Sequence, residues 1–344
     1  MKKLLTLLLA LALLLSLSAC EAGPPPLTPG PPPTATPPAP STATPPTPLT
    51  IPVGTLNGNT GVASAWLMEE ARLGLTHDTY NFEVFTAPDQ VATALLSGQV
   101  QIAALPTNVA ATLYNRSEGM IQMAAIVAYG VLHVLENGAE IHSIENLRGR
   151  TIHTTGQGAG PEFILNHILT QNGLIPGVDV QIEFHATEAL PALMAAGQID
   201  LSMMPEPMVT TVLAQNADVR RALDMTTEWN MIGDGSQLVM SAVVVRTDFA
   251  QAQPEAVSRF LSLLQQSIGE TIQNPAEVAE LIAAFGIIPS AAIAERAIPG
   301  CNLTFIAGAD MEPTITGYFQ VLYAADPASL GGAIPDASFY LILP

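Results

Sequence analysis

Lysine is almost missing from this chain. Among 344 residues only Lys2 and Lys3 carry it, and 11 basic side chains in all face 30 acidic ones. The formal net charge of −19 repels phosphate backbones and anionic headgroups, which excludes nucleic acid as a partner. Cysteine is equally scarce, with Cys20 and Cys301 alone, so clustered-thiolate metal sites are excluded. The six histidines form no H-E-x-x-H motif and no pair close in sequence, and no metal is expected. A G-K-[ST] phosphate loop and a G-x-S-x-G nucleophile turn are both missing. No acid–base constellation is visible, so no catalytic residue and no cofactor is expected.

Much is present at the front of the chain. Two lysines, an apolar run from Leu4 to Leu15 and a small-residue segment make a secretory signal, since the run is too short for the roughly 20 residues of a membrane span. The signal ends in "LSAC", Leu17 to Cys20, which looks like the bacterial lipobox. Cleavage before Cys20 and lipidation of its thiol are expected. Residues 21–50, "EAGPPPLTPGPPPTATPPAPSTATPPTPLT", are a Pro/Thr-rich disordered tether. At about 3.1 Å per residue in polyproline II, it holds a domain up to roughly 90 Å from the bilayer.

The remaining body alternates short apolar or β-branched runs with helical patterns, the signature of α/β architecture. It also repeats. "LLSGQVQIAALPTN" from Leu95 resembles "MAAGQIDLSMMPEP" from Met194 at an offset of 99, and "VGTLNGNTG" from Val53 lies over "IHTTGQGAG" from Ile152 at the same offset. Two matches at one offset predict two similarly built lobes rather than a solenoid. In each lobe an opening strand ends in a glycine turn, and a later strand ends in a proline-marked turn. Open α/β sheets bind ligands outside the carboxyl ends of their strands, so these turns are the places to look.

The turn "TTGQGAGPEF", Thr154 to Phe163, is not a dinucleotide fingerprint, because Pro161 stands where G-x-G-x-x-G/A needs glycine or alanine. Its glycines allow close backbone approach, and Pro161 suits the first turn of a helix. Free N–H groups at that helix start would favour an anionic or polarised oxygen.

The lipobox, "IENLRGRTIHTTGQGAGPEFIL", "LMAAGQIDLSMMPEP" and "AALPTN" together resemble the solute-binding lipoproteins of ABC importers. The nearest group is that for nitrate, sulfonates, taurine and thiamine-pyrimidine precursors. The resemblance runs from about Ile51 to Tyr340. It implies a type II periplasmic-binding-protein fold, with two α/β lobes that each carry a mixed sheet flanked by helices. Two crossover segments would join them, near Tyr129–Glu136 and Ser236–Val245. Lobe one would comprise residues 51–132 and 241–344, and lobe two residues 133–240. A long helix is read over Pro254–Gln273. The resemblance further implies a monomer that captures a small organic solute by hinge closure. It would hand that solute to permease subunits while a lipid on Cys20 holds it to the outer face of the cell membrane. An exported enzyme of the same fold, or a surface solute sensor, is the competing expectation.

Candidate ligand residues sit on the turns. Asn57, Asn59 and Thr60 follow the first strand, and Thr107 and Asn108 follow "VQIAAL". Thr155 and Gln157 offer side chains, Gly158 and Ala159 backbone N–H groups. Tyr129 and Trp229 are candidate walls for an aromatic ligand. Glu206, between two prolines at the place equivalent to Thr107, is expected to pair with an amine or a heterocycle N–H. With no lysine nearby, that carboxylate favours a neutral, zwitterionic or cationic solute, unless an arginine lies beside it.

Overall fold

A computed structural model of the chain describes residues 47–233 and 235–343. The signal segment, Cys20 and residues 21–46 of the tether lie outside the described residues. Residues 47–344 form one compact unit, and among the described residues no helix is long and apolar enough to cross a membrane.

The chain first lays down β1 (Thr50–Leu56), α1 (Asn59–Val62), α2 (Ala65–Arg72), β2 (Thr79–Phe85) and α3 (Pro88–Ser97). After these come β3 (Ile102–Pro106), α4 (Thr107–Arg116) and β4 (Ile121–Tyr129). Only two residues then separate β4 from β5 (Leu132–Asn137). The plan repeats as β6 (Thr151–Thr154), α5 (Gly160–Gln171), β7 (Gln181–Phe184), α6 (Leu190–Ala195) and β8 (Leu201–Pro205). It continues through α7 (Met208–Gln215), β9 (Val219–Asp224) and α8 (Met225–Ile232). The chain returns on β10 (Val239–Arg246), followed by α9 (Thr247–Ala252), α10 (Pro254–Gln273), α11 (Pro275–Ala284) and α12 (Ala291–Ala297). The last strand and the last α-helix are β11 (Leu303–Ala307) and α13 (Met311–Ala325), followed by two short 3-10 turns.

Two mixed sheets result, ordered β11-β4-β10-β3-β1-β2 and β7-β6-β8-β5-β9. β1 pairs in parallel with β2 and β3 as β6 does with β7 and β8. The strand beside β3 is the antiparallel β10, and the strand beside β8 is the antiparallel β5. The repeat seen in sequence is also a repeat in register: Gly54 pairs with Ala103, and His153 with Ser202, both 99 residues further on. Each of the matching glycines, Gly98 and Gly197, follows a helix in a left-handed conformation, with φ of 78° and 65°.

Local sequence explains the elements. β10 reads "VMSAVVVR", and Val243, Val244 and Val245 are all buried, the continuous apolar pattern of a strand covered on both faces. The long helix read over Pro254–Gln273 is α10, with proline in its first turn. Its buried Val257, Phe260, Leu261, Leu264 and Ile268 recur at helical spacing and pack on β1, β4 and β10.

The ordered domain starts before the boundary that composition suggests. Leu49 N–H donates to Asp78 Oδ1 at 3.0 Å, and Thr50 already pairs with Thr79. Asp78 also accepts from Arg259 at 2.8 and 3.1 Å. Burial opposes its charge, but Arg259, the Leu49 N–H and His77 outweigh burial and hold the carboxyl below its ordinary range. Glu136 is likewise disfavoured by burial and held down by the N–H groups of Glu140 and Ile141 and by Arg220. A depressed folded value contributes stability above the unfolded pKa, about 3.9 for Asp and 4.3 for Glu. That contribution is lost as pH falls through the folded value. Urea melts should therefore weaken progressively below about pH 4, and Asp78→Asn should flatten part of this dependence; a wild-type profile unchanged in the variant would contradict the role given to Asp78.

Candidate functional site

The carboxyl ends of β1 and β3 bring part of the expected set together around the start of β10. Thr60 Oγ1 lies 3.5 Å from Ser241 Oγ, and Ser241 pairs with Pro106. Val239 pairs with Tyr129, and its carbonyl accepts the Thr107 hydroxyl at 2.7 Å. Asn108 and Tyr129 are half-buried beside them, and Asn57 is exposed. The Asn59 amide oxygen is buried with no hydrogen-bond partner among the described residues, which leaves an acceptor in need of a donor. Thr107 is a correction: it is 1% exposed, and its hydroxyl ties the return strand to α4 rather than facing a solute.

The second lobe corrects several more expectations. Thr155 is buried. The Gly158 N–H donates to Glu162 Oε2 at 2.6 Å, and the Ala159 N–H to the Gly156 carbonyl at 3.0 Å. Both backbone donors are thus used within the turn, where Gly156 and Gly158 take left-handed φ values of 76° and 70°. Of this group only Gln157 presents an exposed side chain.

Glu206 is the largest correction. It is 2% exposed, its carboxylate forms an ion pair with Arg221, and it accepts the Thr210 N–H at 3.1 Å. Burial raises its pKa against the lowering effects of Arg221 and Thr210. It packs against Gly300, where an added Cβ would fall 2.8 Å from its Oε1. Buried Cys301 is next in sequence, its thiol pushed up by burial and by Glu206. The amine expected from a solute is supplied by the chain's own guanidinium. The charge argument for a cationic solute falls with it.

A cavity of about 970 Å³ lies between α5 and α13, and Gly235 and Ser236 before the return strand also line it. Asn166, His167 and Thr170 line it from α5, and Thr316 and Gln320 from α13. Asn166 Oδ1 is buried with no hydrogen-bond partner among the described residues. Sequence reasoning missed these residues, because they lie along a helix face rather than on a turn. Trp229 stands behind this wall, not in it: it is 1% exposed, donates from Nε1 to Ser236 Oγ at 2.8 Å, and stacks on His167 with centroids 4.7 Å apart.

For metals, the structure places together what the sequence keeps apart. His153 Nδ1 lies 2.9 Å from His185 Nε2 and 3.4 Å from Glu183 Oε2, a close histidine pair that linear spacing does not reveal.

Two pseudo-repeated α/β lobes, joined by two crossings that each donate an antiparallel strand, define the type II periplasmic-binding-protein fold. The chain belongs to the NMT1/THI5-like family, whose model matches residues 82–278. No curated protein matches it in sequence. Among solved structures, an ABC transporter from Parabacteroides distasonis is similar with a TM-score of 0.72 at 20% identity, over 85% of this chain and 98% of that one. The periplasmic aliphatic sulphonate binding protein SsuA of Escherichia coli follows at 0.68 and 16% identity, over 86% and 92%. The alkanesulfonate-binding SsuA of Xanthomonas axonopodis pv. citri, bound to MOPS, aligns at 0.58 and 16%, over 86% and 96%. At these identities the likeness is one of fold.

Proposed function

We propose that this chain is the solute-binding component of an ABC importer, exported and anchored through a lipid on Cys20, with the Pro/Thr-rich residues between Cys20 and Leu49 as its spacer. A small organic solute is captured between lobe one, residues 51–132 and 241–344, and lobe two, residues 133–240. Closure about the two crossings traps it and presents the closed form to permease subunits. The protein acts as a monomer and leaves its solute chemically unchanged.

The cavity between α5 and α13 carries this reading. Its walls come from helices on either side of the return crossing, so hinge motion would change its width. Its volume of about 970 Å³ lies within the roughly 300–1,000 Å³ of small-molecule sites. The unpartnered oxygen of Asn166, on the α5 wall of this cavity, asks for a solute bearing an N–H or O–H donor. Aliphatic sulphonate and alkanesulfonate are the cargoes named for the two SsuA proteins. An organic sulfonate carrying a donor group is therefore the first class to try.

The test is mass spectrometry of small molecules co-purifying with the full chain in detergent, followed by calorimetry on the hits. Asn166→Ala should weaken binding about tenfold, the ~1.4 kcal/mol worth of one hydrogen bond. If nothing co-purifies and no organic solute in a broad panel raises the melting temperature, the reading fails.

A further inference from the structure

The edge of the second sheet carries a group of side chains that the solute cavity does not use. His153 is on β6 and Glu183 is its register partner on the parallel edge strand β7. His185 follows Glu183 by two residues, and strand alternation returns it to the same face. The ligand atoms of the three residues all lie within 4.8 Å of one another. On the other side of His153, its register partner Ser202 is fully buried, and its Oγ has no hydrogen-bond partner among the described residues.

The first lobe provides an internal control. There Gly54 takes the place of His153, Ala103 that of Ser202, Glu83 that of Glu183 and Phe85 that of His185, in the same register. A Cβ on Gly54 would touch Phe85 Cε2 at 3.2 Å and Ala103 Cβ at 3.4 Å. One lobe fills this face with a phenyl ring over glycine and alanine. Both lobes keep the glutamate, Glu83 or Glu183, but the second puts two imidazoles beside it.

We propose that His153, Glu183 and His185 bind one divalent first-row transition-metal ion of the zinc type, clipping the edge strand β7 to β6. Two imidazoles and a carboxylate are a standard three-ligand set for zinc, with a fourth position left to water. Two of the three edges of the set need little movement. Nitrogens at about 2.0–2.1 Å from a tetrahedral ion stand roughly 3.3 Å apart, so the His153–His185 pair opens by a few tenths of an ångström. The 3.4 Å separation between His153 Nδ1 and Glu183 Oε2 already suits. All three ligands come from β6, β7 and the residue directly after β7, within one lobe, so the ion is a resident clip and not cargo gripped by closure.

The full chain, stripped with chelator and dialysed, is titrated with Zn²⁺ by calorimetry and with Co²⁺ by visible absorption. One tight ion per chain and a four-coordinate cobalt spectrum are expected, with excess Ca²⁺ or Mg²⁺ failing to compete, since these hard cations prefer all-oxygen sites. His153→Ala and His185→Ala should each remove the tight site and the cobalt bands. Glu183→Gln should weaken it by at least about 10–100-fold, the cost of losing even an outer partner. Half-exposed His185 and exposed Glu183 can be replaced without emptying the core, and circular dichroism checks that these variants stay folded. Absence of a tight isotherm overturns the proposal. So does an isotherm unchanged in both the His185 and Glu183 variants, which would assign the ion to surface carboxylates instead.

Discussion

Glu206→Ala should cost about 2–3 kcal/mol of stability, toward the lower end for breaking a buried pair because Arg221 keeps partial access to water. The side chain of Glu206 is wholly buried and that of Arg221 is 36% exposed. Truncation leaves the guanidinium without its partner and the Thr210 N–H without its acceptor, and it opens a void against Gly300. Urea unfolding reads the loss directly. Glu206→Gln, which retains an acceptor for Thr210, should lose less. Under conditions where the alanine variant is folded, its solute affinity should stay near that of wild type. A variant of unchanged stability that no longer binds solute would restore Glu206 to the binding surface and refute the assignment to the interior.

The second large effect belongs to Trp229. Its indole packs between His167 and Tyr318, with centroid distances of 4.7 and 5.8 Å, and donates to Ser236. Trp229→Ala should cost about 3–5 kcal/mol, the range for deleting a large buried aromatic. Trp229→Phe keeps most of the packing and loses the hydrogen bond, for about 1 kcal/mol. Because His167 and Ser236 line the cavity, the phenylalanine variant should also bind solute more weakly while remaining folded. Wild-type affinity in that variant would separate the cavity from the solute.

What the sequence made legible was periodic or punctuated. The offset of 99 joined β3 to β8, the proline turns marked the ends of both strands, and α10 announced itself by its apolar spacing. What it hid depended on partners far along the chain. Thr107 reads as a turn hydroxyl until the Val239 carbonyl, 132 residues away, accepts its hydrogen bond. Glu206 reads as a ligand carboxylate until Arg221 is found beside it. A signal was there: Arg220 and Arg221 are adjacent on β9, so alternation sends them to opposite faces, and each meets a buried carboxylate, Glu136 or Glu206. The histidine pair was hidden for a related reason. Parallel pairing of β6 with β7 is what converts a separation of 32 residues into 2.9 Å.

The place of β10 between β3 and β4 constrains the order in which the molecule is made. All five strands of the second sheet lie within Leu132–Asp224, so that lobe can complete its ladder while later residues are still emerging. The first sheet cannot. β3 and β4 are never neighbours, and the gap between them stays open until Val239–Arg246 arrives. The lobe begun first is therefore finished last, and during synthesis or export its central hydrogen-bonding edges need shelter that the native fold does not yet provide.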